Sequence, residues 1–147
     1  ETDQLVSDKA AAVHKNNMVA VICVGENLQQ YEDNETNDII KEQVSNSLPE
    51  TANADNTIIA YEPVWSIGTG LVPKTNEVNN IAALINDTIK NLGYNGNNAR
   101  MPILYGVSVN ANNAADLIKA ENIAGFLVGS ASLEAEQFHK IIELTKR

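Results

Sequence analysis

Cysteine occurs once in the 147-residue sequence, at Cys23, so no internal disulfide can form. Its place in an apolar run predicts a buried core thiol kept in a reducing compartment. Basic residues are scarce as well. Ten Lys plus Arg stand against nineteen Asp plus Glu, and the net charge of -9 opposes nonspecific binding to nucleic acid or to anionic lipid. An anionic ligand would need a local grip built from backbone. The longest apolar run, Met18 to Val24, falls far short of the roughly 20 residues of a membrane helix, so no membrane partner is expected. Glu1-Thr2-Asp3-Gln4 has neither the basic flank nor the apolar stretch of a secretory signal. An initiator Met is missing too, and the chain is expected to begin inside a longer protein. What is present, 44% hydrophobic and 20% charged residues, fits a single globular domain over residues 1–147.

Four short β-rich runs stand out: Val19 to Val24, Thr57 to Tyr61, Ile103 to Tyr105, and Phe126 to Val128. Each is nearly continuous in apolar residues, which predicts strands covered on both faces, as in parallel sheets. Helical spacing surrounds them. Val6, Ala10 and Val13 share a face behind a cap at Thr2 or Asp3, and Ile40, Val44 and Leu48 recur every fourth residue. The longest helix is predicted from an N-cap at Thr75, with Val78, Ile81, Ala82, Ile85, Ile89 and Leu92 on one stripe and Gly93 as its stop. Leu117 with Ile118, and Phe138 with Ile141 and Ile142, mark two more. Asn95-Gly96-Asn97-Asn98 reads as an exposed loop.

Strands alternating with helices imply a parallel α/β sheet. Four such units make either a small open sheet or half of an eight-stranded barrel, which usually takes about 250 residues. A nucleotide-binding open sheet would want a Gly-x-Gly-x-x-Gly turn after the first strand, and Cys23-Val24-Gly25-Glu26-Asn27 does not supply it. Glu62 sits at the C-terminal end of the second strand, the end where barrel enzymes gather catalytic groups, and Pro63 fixes the chain direction beyond it.

The run Ala60-Tyr61-Glu62-Pro63-Val64-Trp65-Ser66-Ile67-Gly68-Thr69-Gly70 resembles the catalytic-base strand and lid of triosephosphate isomerases, with Ser66 where Ala is commoner. Cys23-Val24-Gly25-Glu26, Tyr105-Gly106-Val107-Ser108-Val109-Asn110 and Gly125-Phe126-Leu127-Val128-Gly129-Ser130-Ala131-Ser132-Leu133 resemble the same family in the same order. The resemblance implies the C-terminal half of a (β/α)8 TIM barrel, strands five to eight, with the N-terminal half absent. It implies Glu62 as the base that moves a proton between adjacent carbons of a triose phosphate. Pro63, Val64 and Trp65 would be the near hinge of a lid, and Gly68, Thr69 and Gly70 its tip and far hinge. Phosphate would be held by the amides of Gly68, Ser108, Gly129 and Ser130. Glu26 and Tyr61 would support the lid from beneath, and Tyr105 with Ser108 would hold it closed. No metal or organic cofactor is implied. The intact parent would be a cytoplasmic homodimer of glycolysis and gluconeogenesis.

Two departures stand in the phosphate turns. Val107 occupies a position where the family usually has Gly, and a β-branched residue resists positive φ, so a backbone flip there is expected to be restricted. Ser130 also replaces a common Gly. The family's electrophilic His and its active-site Lys and Asn belong to early strands with no counterpart here. His14 and His139 fall in helix patterns, are read as surface residues, and replace none of these. The chain alone is therefore expected to be inactive. The rival reading is a noncatalytic phosphate-binding or assembly half-barrel that dimerises to cover its open face.

Overall fold

The computed structural model describes residues 1–69, 71–94 and 100–146. Gly70 and the predicted loop at 95–98 lie outside them. Strands β1 (Ala20–Val24), β2 (Thr57–Tyr61), β3 (Ile103–Gly106) and β4 (Gly125–Leu127) form one sheet in the order β1-β2-β3-β4. Every pairing is parallel. Register builds rows across the sheet: Cys23, Ala60, Leu104 and Gly125 on one face, and Val24, Tyr61, Tyr105 and Phe126 on the other.

Among the described residues six helices connect and flank the strands: α1 (Asp3–Lys15), α2 (Leu28–Glu32), α3 (Thr36–Ser47), α4 (Thr75–Asn91), α5 (Ala114–Leu117) and α6 (Ala135–Thr145). α1 is capped by Thr2, whose hydroxyl accepts from the Leu5 amide at 3.3 Å. The α4 stripe buries Val78, Ile81, Ala82, Ile85 and Ile89, and Gly93 ends the helix at φ +87°. Its N-cap is Lys74 rather than Thr75, because Glu77 reaches back to the Lys74 amide at 2.9 Å while the Thr75 hydroxyl donates to the Asp116 carbonyl. α2 went unpredicted. It is too short to show periodicity and rests on a capping box between Asn27 and Gln30.

The helices cover only one face of the sheet. Ala20, Ile22, Val24, Ile59, Tyr61, Ile103 and Tyr105 are buried there. On the opposite face Val21 is 45% exposed and Cys23 is also exposed, while Ile58 and Leu104 are half-buried. This overturns two expectations: the strands are not covered on both sides, and Cys23 is not a core thiol. Apolar continuity marks a strand destined for burial on both faces, but among the described residues no helix covers the inner one, although Ala60 is buried there. Phe138 and Ile142 of α6 stay similarly open, leaving Ile141 as its buried residue. Among the described residues no helix is long and apolar enough to cross a membrane.

Candidate active site

Parallel strands end on the same rim, so the segments that follow β1, β2, β3 and β4 converge there. Glu62, the first residue after β2, is fixed by its amide, which donates to the Val24 carbonyl at 2.7 Å. The chain passes so close to Gly25 that a Cβ on that residue would lie 1.8 Å from the Glu62 carbonyl oxygen. Gln43 clamps Gly25 from α3, taking its amide proton at 2.8 Å and donating to its carbonyl at 3.2 Å. Alternation along β2 sends Glu62 to the open inner face, where its carboxylate lies over Gly106. A Cβ at Gly106 would stand 2.3 Å from Oε1. The Cys23 thiol faces the same carboxylate. Partial desolvation first, and then Glu62, push that thiol up to about 11.

Beyond Glu62, Pro63 is buried and a 3-10 turn runs over Val64–Ser66. The Val64 amide donates to the Glu26 carbonyl at 2.9 Å, and Trp65 Nε1 donates to the Glu26 carboxylate at 2.7 Å. Glu26 is fully buried, and the Tyr61 hydroxyl also reaches it, at 3.3 Å. Burial first, and then Glu26, raise the Tyr61 phenol. Trp65 stacks on Tyr31 with centroids 4.5 Å apart. The rest of the loop is held by its own polar atoms. The Ser66 hydroxyl donates to the Leu71 carbonyl, and the Thr69 hydroxyl donates to the Trp65 carbonyl at 3.1 Å. Gly68 sits at the exposed tip with φ +70° and nothing within 4 Å of where its Cβ would be.

After β3, Val107 and Ser108 take φ of +68° and +51°. Val107 thus adopts the conformation that its branching was expected to resist, at a cost of about 1–3 kcal/mol for such a residue. Neighbouring bonds hold the turn. Asn113 Nδ2 donates to the Ser108 carbonyl at 2.7 Å, and the Ser108 hydroxyl donates to the Ser66 carbonyl at 2.9 Å, tying the turn to the loop. Tyr105 is fully buried, yet its hydroxyl has no hydrogen-bond partner among the described residues. Burial lifts its phenol to about 12, with Ser66 working in the opposite direction. After β4, Gly129 leads into another 3-10 turn, over Ser130–Leu133. Ser108 and Ser130 share the wall of a cavity of about 270 Å³, with Asn110 and Glu134 beside them.

The expected residues do not form a single cluster. Glu62 is on the rim next to Gly106. Glu26, Tyr61 and Trp65 form one buried network on the other face of β2. Ser108 and Ser130 meet in the small cavity, next to Gly129, while Gly68 stands apart from it. Pro63, Val64 and Thr69 belong to the loop, and Gly70 lies outside the described residues. His139 is exposed, but His14 is more than a surface residue: its ring bonds the Thr51 hydroxyl at 2.8 Å and the Thr57 hydroxyl at 3.2 Å. Thr57 begins β2, so His14 sits at the opposite rim from Glu62. Gln43 and Tyr31 were missed, since each acts through a partner distant in sequence, and Asn113 because it acts on a main-chain atom, the Ser108 carbonyl, that no motif marks. Among the described residues no group of His, Cys, Asp and Glu is arranged to hold a metal ion.

A family model described as triosephosphate isomerase matches residues 1–145. The chain is 47% identical over 138 residues to a triosephosphate isomerase of Bradyrhizobium sp. (strain BTAi1), covering 94% of this chain and 55% of that protein. It is 44% identical over 146 residues to the one from Malacoplasma penetrans, covering 98% and 58%. The crystal structure of triosephosphate isomerase from Bartonella henselae superposes with a TM-score of 0.89 at 35% identity, over 100% of this chain and 58% of that one. The chain thus spans about half the length of the curated relatives it matches.

Proposed function

Because this chain belongs to the triosephosphate isomerase family, we propose that it carries barrel strands five to eight of an enzyme interconverting dihydroxyacetone phosphate and glyceraldehyde 3-phosphate. The observation that carries the reading is the Glu62 carboxylate, held over Gly106 on the rim that also bears the Ser108 and Gly129 turns. Glu62 takes the proton from the carbon beside the substrate carbonyl. The C–H electron pair passes into an enediolate, and the proton returns to the neighbouring carbon. A carboxylate is a weak base in water, so it needs a cover that excludes solvent. The loop from Pro63 to Thr69 supplies that cover, with Pro63, Val64 and Trp65 as its near hinge and Gly68, Thr69 and Gly70 as its tip and far hinge. Main-chain amides of Gly68, Ser108, Gly129 and Ser130 take the phosphate, which suits a chain of net charge -9. Tyr105, whose buried hydroxyl has no hydrogen-bond partner among the described residues and which senses Ser66 of the loop, bonds the loop when it closes, together with Ser108.

The intact enzyme works as a cytoplasmic homodimer on a small triose phosphate, without nucleic acid, membrane, metal or organic cofactor. The 147 residues alone carry a base with no electrophile for the developing oxyanion, and loss of even one such donor typically costs about a hundredfold. The test is reassembly: the chain is mixed with the N-terminal segment of the Bradyrhizobium relative and isomerisation is followed. Activity is expected only in the mixture, and Glu62→Gln abolishes it. Turnover by this chain alone at rates near those of intact relatives, or no activity with both segments folded, overturns the reading.

A further inference from the structure

A cavity of about 590 Å³ lies behind the loop, on the helix-covered face of β2 and so across the strand from Glu62. Its volume falls within the range of small-molecule pockets. Its walls include the stacked rings of Tyr31 and Trp65 and the carboxylates of Glu26, Glu32 and Glu77, while no Lys, Arg or His among the described residues lines it. Glu26 is fully buried, and its side-chain partners are the Tyr61 hydroxyl and the Trp65 indole N–H, both neutral. No cation pairs with it among the described residues. A buried carboxylate compensated only by dipoles favours an arriving positive charge. The aromatic faces select the kind of cation. A strongly hydrated metal ion gains little from them, whereas an alkylated ammonium presents apolar surface to the rings and charge to the carboxylates.

We propose that this cavity binds an organic ammonium ion against the Tyr31–Trp65 stack, and that its occupancy holds the loop in the position seen here. Trp65 lies at the entry of the loop and Pro73 beyond its exit, so movement of the loop shifts the Trp65 wall against the Pro73 wall. An occupant favours the arrangement that keeps those walls together. The regulatory half rests on the loop being the lid of the isomerase; the binding half does not.

Trp65 is the one tryptophan in the chain, which makes its fluorescence the direct readout. The chain is titrated with tetramethylammonium chloride at constant ionic strength, with sodium chloride and the neutral near-isostere tert-butanol as controls. A saturable change with half-saturation of about a few millimolar is expected, the range set by a handful of weak contacts. Glu32→Gln should weaken it about threefold and Tyr31→Leu about tenfold. No saturation by about 100 mM, an equal response to tert-butanol, or indifference to both substitutions overturns the site. In the reassembled enzyme tetramethylammonium should lower kcat; binding with unchanged turnover overturns the control of the loop. Isomerase activity in ammonium-free buffer is scored separately, so either idea can fail without the other.

Discussion

Gly106→Ala isolates the position of Glu62, the proposed base. The added Cβ would lie 2.3 Å from Glu62 Oε1, 2.7 Å from its Cγ and 2.9 Å from its Cδ, whereas ordinary contact begins near 3.4 Å. Gly106 is not among the positive-φ residues, so alanine fits its backbone. The atom in the way is the free end of a flexible side chain, and the carboxylate retreats by about 1 Å while the strand stays put. A misplacement of that size costs about a hundredfold in rate. Fold stability should change little, by less than about 1 kcal/mol, since alanine also restricts the unfolded chain. The assay is isomerisation by the reassembled enzyme, with urea unfolding followed by circular dichroism as the control for folding. Activity within about threefold of the parent, with the fold intact, would refute the claim that Glu62 must sit over Gly106 to work.

The same reasoning gives the opposite result at Gly25, where the Cβ meets the main chain of Glu62 at 1.8 Å and nothing flexible can yield. Gly25→Ala should cost about 3 kcal/mol or more in urea unfolding, and an unchanged midpoint would be fatal to that expectation. Cys23, though exposed, should react with iodoacetamide at pH 8 about a hundredfold more slowly than an unperturbed thiol, because the rise from 9.0 to about 11 removes thiolate. Glu62→Gln should speed it, and equal rates would mean that the two groups do not face each other. The folded thiol holds its proton longer than the unfolded one, so this contribution to stability is complete below pH 9 and lost as pH rises through about 11. Trp65→Phe and Glu26→Gln should couple by about 1 kcal/mol or more in a double-mutant cycle read by circular dichroism, since a charge-assisted bond joins them at 2.7 Å. Additive losses would show that the bond contributes nothing.

Local rules were legible in the sequence wherever one residue type decides the outcome. β2 runs over the residues its apolar pattern marks, and five of the six residues on the α4 stripe are buried, with Leu92 left exposed past the last turn. Glu62 at a strand end, with the loop after it, was found the same way. What escaped depends on a partner. Cys23 could not be placed without knowing which face of the sheet is covered. Tyr31 looks like an ordinary surface tyrosine until Trp65 is laid against it. Val107 takes a left-handed conformation that its side chain disfavours, because Asn113 and Ser66 fix the Ser108 backbone and hydroxyl on either side. Ser66 itself read only as a departure from Ala, yet its hydroxyl ties both ends of the loop together.

Adjacent positions on one strand explain how the proposed base and its proposed cover can be linked without touching. Tyr61 and Glu62 are consecutive, so alternation sends one to the helix side and the other to the open side. Tyr61 meets Glu26 and through it Trp65, while Glu62 meets Gly106 and Cys23. The two networks share the short backbone between Tyr61 and Trp65, where buried Pro63 allows little rotation. A change that pulls Trp65 from Glu26 therefore bears on the peptide that carries Glu62, and the Val64 amide bonded to the Glu26 carbonyl transmits the same pull. Such a connection needs no long chain of contacts. It follows from placing Glu62 and Trp65, the proposed base and lid hinge, three residues apart across the edge of a parallel strand.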